Sequence, residues 1–291
     1  TASTEVYNMV ESEMVFVNKY VPTHASINIE AEKTLSGRAL NDGEFSFGLT
    51  EVDGINGREV ENGIKLYSAN DADGNVMFDE ISYTSKGVYY YNVYEIEEAL
   101  GGIIYDDTVY CVEVTVSDDN EGTLSAEITD IIANGSSVDA VNFENEYEAN
   151  IVVVLKGRKH MIGKELEDNE FEFNMYNSNE NGDKIGEPVT VSNTGSSFEY
   201  EIEYDESDAG ATYYYLVEEA RNGEYEVIDN EYGLNYDGRH YLVEITVTDN
   251  GDGTLNADVI KTRDNGNAYE ELIFVNNYTD ITSKTVYIPD N

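Results

Sequence analysis

Two stretches of this chain carry the same alternation of apolar and polar side chains. In YDDTVYCVEVTVSDDNEGTLSAEI (105–128), Val112, Val114 and Val116 alternate with Cys111, Glu113 and Thr115. In YDGRHYLVEITVTDNGDGTLNADV (236–259), Val243, Ile245 and Val247 alternate with Leu242, Glu244 and Thr246. A period of two built on β-branched residues marks a strand with one buried face. The segments SDDNEGT and TDNGDGT that follow hold the Gly, Asn and Asp of hairpin turns. Strands spaced by roughly 8–12 residues predict an antiparallel β-sandwich. Helical signal is confined to short stretches such as EIEEAL (95–100).

The two stretches lie 131 residues apart, and they are not alone. VYYYNVYEIEEA (88–99) matches TYYYLVEEA (212–220), and GRALNDGEFSFGL (37–49) matches GKELEDNEFEFNM (163–175). The blocks keep their order, so the chain holds two copies of one all-β domain. We place them at 21–147 and 148–280. Residues 1–20 fit neither copy. Their TEVYNMVESEMVFVNKY resembles NGNAYEELIFVNNY near the end of the second copy. They read as the last strand of a preceding repeat or an exchanged strand, and 281–291 as a linker. The chain thus reads as a piece of a longer tandem array.

Composition narrows the function. Sixty acidic residues face 16 basic ones, a formal charge of −44. That charge opposes binding to nucleic-acid phosphates or to an anionic membrane face. The 24 Tyr and 9 Phe supply the buried area that a disordered acidic chain lacks. The single Cys111 excludes an intrachain disulfide. No apolar run reaches membrane-spanning length.

Strand parity then isolates three polar residues on core-facing stripes. Ile27, Ile29, Ala31 and Lys33 share one face, as do Ile151, Val153, Leu155, Gly157 and Lys159. In both copies a Gly follows four residues after the Lys. Tyr89, Tyr91, Val93 and Glu95 share a face, and so do Tyr213, Tyr215, Val217 and Glu219. Phe143, Asn145 and Tyr147 share a third, matched by Phe274, Asn276 and Tyr278. One such Lys is ordinarily a strand-end residue whose ammonium snorkels to water. A Lys, a Glu and an Asn in phase in both copies favour a site instead. Glu218 is the alternative to Glu219 if its strand is shifted by one. Asn18 sits in a third Phe-x-Asn-x-Tyr with no Lys before it, so its partner would lie in an upstream copy or another chain.

These residues carry a family resemblance. The pattern Lys-x-Leu-x-Gly-Arg-x-Leu with Gly-Glu-Phe-x-Phe (33–47) comes first. Tyr-Tyr-Tyr-x-Val-x-Glu (89–95), Tyr-Asp-x-x-x-Tyr-x-Val-x-Val-x-Val (105–116) and Phe-x-Asn-x-Tyr (143–147) follow in order. Together they resemble the isopeptide-linkage domain of Gram-positive pilins and surface proteins. The second copy departs from the pattern: Lys159 is followed by HMIG, and Lys164 stands where the first has Arg38. The resemblance implies Ig-like or Cna-type sandwiches in which a first-strand Lys and a last-strand Asn form a spontaneous amide bond, assisted by a buried acid. The implied cross-links are Lys33–Asn145 and Lys159–Asn276, with Glu95 and Glu219 assisting. Burial lowers a Lys pKa and raises a Glu pKa. The Lys then serves as a neutral nucleophile. The protonated Glu would polarise the Asn carbonyl and pass a proton to the leaving ammonia.

The implied role is a structural stalk or shaft segment at a bacterial cell surface, anchored to the cell wall in the full-length protein. It is not an enzyme and needs no cofactor. Its partners are neighbouring repeats and other pilin or surface subunits, with no nucleic acid and no membrane insertion. An adhesin module binding a host glycan or protein is the alternative. The loops SDDNEG and TDNGDG lack the ligand spacing of a calcium loop. His24, His160 and His240 have no metal spacing. Cys111 reads as a bystander on the polar face, aligned with Leu242.

Overall fold

The computed structural model describes residues 20–282. The terminal strand read at 1–20, with Asn18, lies almost wholly outside the described residues, as does most of the linker read at 281–291. The described chain is all-β, with one short 3-10 turn at Glu206–Asp208. Two compact units form: residues 20–34, 40–98 and 106–144 make one, and 35–39, 99–105 and 145–282 the other.

In the first repeat, a six-stranded sheet has the order Ser136–Ser137, Leu124–Ala133, Tyr110–Asp118, Gly87–Ile96, Ser46–Val52, Lys65–Ala69. A four-stranded sheet has the order Asn75–Met77, Glu30–Ser36, Asn142–Tyr147, Ile103–Ile104. We call Glu30–Ser36 the opening strand, Gly87–Ile96 the tyrosine strand and Asn142–Tyr147 the closing strand. The alternation dictates what is buried between the sheets. Phe47, Tyr91, Val93, Val112, Val114 and Phe143 are sealed from solvent. Phe47 and Phe143 meet across the gap with ring centroids 5.2 Å apart.

The second repeat uses two five-stranded sheets. One runs Ser197–Asp205, Asn150–Ile162, Leu272–Asp280, Tyr232–Asn235, Tyr225–Ile228; the other runs Lys184–Ser192, Glu172–Ser178, Thr212–Glu219, His240–Asp249, Leu255–Arg263. Its opening, tyrosine and closing strands are Asn150–Ile162, Thr212–Glu219 and Leu272–Asp280. Phe173 and Phe198 stack across the core at 3.8 Å. Gly157 is what permits this: a Cβ there would lie 2.1 Å from the Phe198 ring.

Three features depart from the sequence reading. The sandwich is not antiparallel throughout. The second opening and closing strands pair in parallel, with Gly157 opposite Leu272, Lys159 opposite Phe274 and Met161 opposite Asn276. The first pair is parallel as well, because Glu32, Thr34 and Ser36 bond in ascending order to Val141, Phe143 and Asn145. A parallel pair requires a long crossover, and here the facing sheet supplies it. Second, EIEEAL forms no helix: Glu95 and Ile96 complete the tyrosine strand, and the rest is loop. Third, Cys111 is buried at 6% exposure rather than solvated, between Asn92 and Ile132 on neighbouring strands. Burial pushes its thiol pKa up, which suits an inert residue.

The Gly four residues after each Lys has a backbone role. Gly37 and Gly163 adopt φ of +83° and +96°, and a Cβ would fall 2.1 Å from the Tyr147 carbonyl oxygen and 1.9 Å from that of Tyr278. Each glycine lets the final Tyr of Phe-x-Asn-x-Tyr close against the opening strand. Gly163→Ala is therefore expected to destabilise the second repeat by more than about 1 kcal/mol. Urea denaturation followed by the second repeat's own tyrosine signals would measure it, and an unchanged midpoint would refute the role.

Candidate functional site

In the second repeat, the Lys, Glu and Asn that parity placed on core faces meet between the sheets. Lys159 sits near the end of the opening strand, wholly buried. Its Nζ lies 2.8 Å from Glu219 Oε1, which comes from the facing sheet. The same Oε1 accepts the Asn276 Nδ2–H at 2.7 Å. Asn276 is on the closing strand and fully buried, and Glu219 is 1% exposed. Lys159 and Asn276 thus converge on one carboxylate oxygen from adjacent parallel strands.

Glu218, the alternative partner, points the other way. It pairs with Lys184 at 2.6 Å and with Asn222 at 3.0 Å on the outer side of the tyrosine strand. In the first repeat, Lys33 Nζ lies 2.9 Å from Glu95 Oε2, and both side chains are fully sealed. Asn145 is 3% exposed on the closing strand beside the opening strand.

An aromatic ring covers each ammonium. Phe45 lies 4.7 Å from Lys33 Nζ, and Phe171 lies 4.4 Å from Lys159 Nζ. A buried Asn fixes each ring. Asn70 accepts the Phe45 N–H at 2.8 Å, and Asn193 accepts the Phe171 N–H at 2.8 Å. Their amides donate onward to loop carbonyls, Asn70 to Asn41 and Asn193 to Glu167, each at 2.7 Å.

Burial sets the electrostatics. Desolvation pulls the Lys159 pKa down against the opposing pull of Glu219, and desolvation pulls Lys33 down against Glu95. Desolvation pushes Glu219 up, opposed by Lys159. The ion pair therefore pays a desolvation penalty of several kcal/mol per charge, which moving one proton from Lys to Glu relieves. The product of that move is a neutral amine beside a carboxamide, the ground state for aminolysis.

One neighbour escaped the sequence reading. The Asp237 main-chain N–H donates to Asn276 Oδ1 at 2.8 Å and to Glu219 Oε2 at 3.0 Å. An N–H cannot accept, so the Asn276 carbonyl must face Asp237 and its amide nitrogen Glu219. Glu219 thus meets the amide nitrogen and not the carbonyl that the residue pattern gives to it. The signal was present: Tyr-Asp recurs at 105–106 and 236–237 with the repeat offset. It lies in a loop, where strand parity is silent. Among the described residues, no group of three or more His, Cys, Asp and Glu could hold a metal ion, and no helix is long and apolar enough to cross a membrane.

This geometry can be set beside known proteins. The profile of the FctA family, the Spy0128-like isopeptide containing domain, matches residues 29–148 and again 155–279. The chain belongs to the FctA family. No curated protein matches it. Among solved structures, the major pilin from Streptococcus pyogenes is similar at 17% identity, covering 88% of this chain and 98% of that one, with a TM-score of 0.34. The T-13 major pilin of the same species is 16% identical over 90% of this chain and 99% of that one, TM-score 0.33. A C-terminal fragment of the pilus adhesin SpaC from Lactobacillus rhamnosus GG is 12% identical over 88% and 99%, TM-score 0.25. Lys33, Glu95 and Asn145 fall within the first FctA match, and Lys159, Glu219 and Asn276 within the second.

The buried pair has a pH signature. Glu219's folded pKa lies above its ordinary 4.5. Its contribution to stability is therefore complete below about 4.5 and is lost as pH rises through the folded value. Lys159→Met removes the cation that opposes this shift. The second repeat of that variant is expected to weaken as pH rises above about 4.5, by at most about 1.4 kcal/mol per unit. The Lys159→Met/Glu219→Gln double variant should lose that slope. Equal slopes in urea titrations of the two would show that Glu219 is not its source.

Proposed function

We propose that this chain is a shaft or stalk segment of a Gram-positive pilus or related surface protein, each repeat closed by its own Lys–Asn amide bond. The observation that carries the reading is the convergence of Lys159, Glu219 and Asn276 on one carboxylate oxygen in a sealed core. The first repeat repeats the Lys33–Glu95 pair beside the strand that bears Asn145. Membership of an isopeptide-containing family supports the same chemistry.

The reaction balances without a co-reactant. Lys159 Nζ passes a proton to Glu219 and attacks the Asn276 Cγ with its freed lone pair, and the carbonyl π electrons move to Oδ1. Glu219 gives its proton to Nδ2, then takes one from the new C–N nitrogen. The carbonyl re-forms, the C–Nδ2 bond breaks and ammonia leaves. Glu219 ends protonated, and the charges sum to zero throughout. The fold supplies the effective concentration. Lysine and asparagine are consumed, so the event happens once per repeat and is not enzymatic turnover.

The bonds link residues 33 to 145 and 159 to 276, separations of 112 and 117 residues. By analogy with a disulfide closing such a loop, each stabilises its repeat by about 4–5 kcal/mol through chain entropy, and reductant leaves it intact. Tension applied between the ends of a repeat would meet a covalent bond between its first and last strands. The chain is then an extracellular structural element whose partners are neighbouring repeats and other pilin subunits.

The intact mass of the purified chain is expected to fall short of the sequence mass by two ammonia molecules. Peptide mapping should place one loss at Lys33–Asn145 and one at Lys159–Asn276. Glu219→Ala should restore one ammonia, at the second site alone. A full sequence mass would refute the proposal.

A further inference from the structure

We propose that Asp237 builds the oxyanion site for the second repeat's bond. Its main-chain N–H holds the Asn276 carbonyl oxygen, and its carboxylate holds that N–H in place. The inference rests on the amide-forming reading above and assigns it a group that neither the Lys–Glu–Asn pattern nor the family description names.

The argument starts from what happens to Oδ1 during attack. Its share of the carbonyl π pair becomes a full negative charge in a core where water is excluded. Glu219 Oε1 meets the carboxamide at Nδ2 and also holds the Lys159 Nζ. The Asp237 N–H donates to the oxygen, Oδ1, at 2.8 Å. A fixed donor aimed at a developing oxyanion in a low-dielectric site is the arrangement that accelerates acyl transfer most.

The side chain explains why that N–H stays put. Asp237 is 6% exposed. One carboxylate oxygen accepts the N–H of Val275, the residue just before Asn276 on the closing strand. The other accepts the Arg239 N–H at 2.9 Å and lies 3.1 Å from Arg239 Nε. Arg239 in turn donates from Nη1 to the Ile273 carbonyl at 3.2 Å. The loop carrying the N–H is thus tied to the closing strand at Val275 and Ile273, on one side of the reacting asparagine. Asp106 repeats the brace in the first repeat: it accepts the Glu144 N–H at 3.0 Å, just before Asn145, and the Thr108 N–H at 2.9 Å.

The test uses timed cell-free synthesis of the whole chain, quenched and mapped by mass for ammonia loss at each site. The Lys33–Asn145 bond in the same molecules serves as an internal control. Two forms are compared with the unaltered chain: Asp237→Ala, which removes the brace, and an ester-linked chain in which the α-hydroxy analogue of aspartate replaces Asp237, deleting only the N–H. The ester form is expected to slow the Lys159–Asn276 bond by about 10²–10³-fold, and Asp237→Ala by at least about tenfold, with the first bond unaffected. The pH profile discriminates role from mere structure. Neutral Lys with protonated Glu holds as many protons as charged Lys with ionised Glu, so the rate is level between their two titrations. Losing an oxyanion donor lowers that plateau; the same N–H also donates to Glu219 Oε2 at 3.0 Å, so the flank set by Glu219 moves up as well. An undiminished plateau in the ester form, with or without a shift of the Glu219 flank, would overturn the proposal. If Asp237→Ala melts below the bond-free Lys159→Ala chain, its fold is impaired and the ester form alone decides. Absence of the second bond in the unaltered chain would instead refute the amide reading itself.

Discussion

The architecture turns on placing a lysine and a glutamate where water cannot reach either. Lys33 with Glu95, and Lys159 with Glu219, sit between two sheets with side chains at most 1% exposed. Left as an ion pair, each would be a poor use of a core position, since well-packed apolar side chains of similar volume serve as well or better. The surroundings are organised around that pair. A ring covers each ammonium, a buried Asn fixes each ring, and a glycine at positive φ lets the closing strand approach. The same desolvation that makes the charged pair costly favours its neutral form, the form that the proposed amide bond requires.

Much of this was legible in the sequence because a strand has only two faces. Parity alone put Lys159 with Leu155, Glu219 with Val217 and Asn276 with Phe274, and each lies in the core. Parity also separated Glu219 from Glu218, which turns outward to Lys184. Repetition did the rest, since three polar residues in phase in two copies are hard to dismiss as strand ends. The fold class followed from the same alternation.

The failures have physical causes of their own. Alternation carries no strand direction, so the parallel pairing of opening and closing strands was invisible. Parity gave Cys111 to the outer face but could not register that neighbouring strands cover that face. EIEEAL has helix-forming composition, yet its first two residues end the tyrosine strand, where Glu95 meets Lys33. Asp237 reaches Asn276 through a main-chain N–H from a loop, and no side-chain pattern encodes where an amide hydrogen points.

The two repeats share their opening and closing strands and differ between them. The first follows its tyrosine strand with the two-residue strand Ile103–Ile104; the second places the hairpin Tyr225–Ile228 and Tyr232–Asn235 there. If the ends of a repeat are joined through its first and last strands, everything between them is mechanically bypassed. Those intervening segments need only fold, and a lengthened hairpin there adds nothing to the distance a stretched array can yield. The outer strands would be constrained by strength, and the interior of each repeat would remain open to insertion.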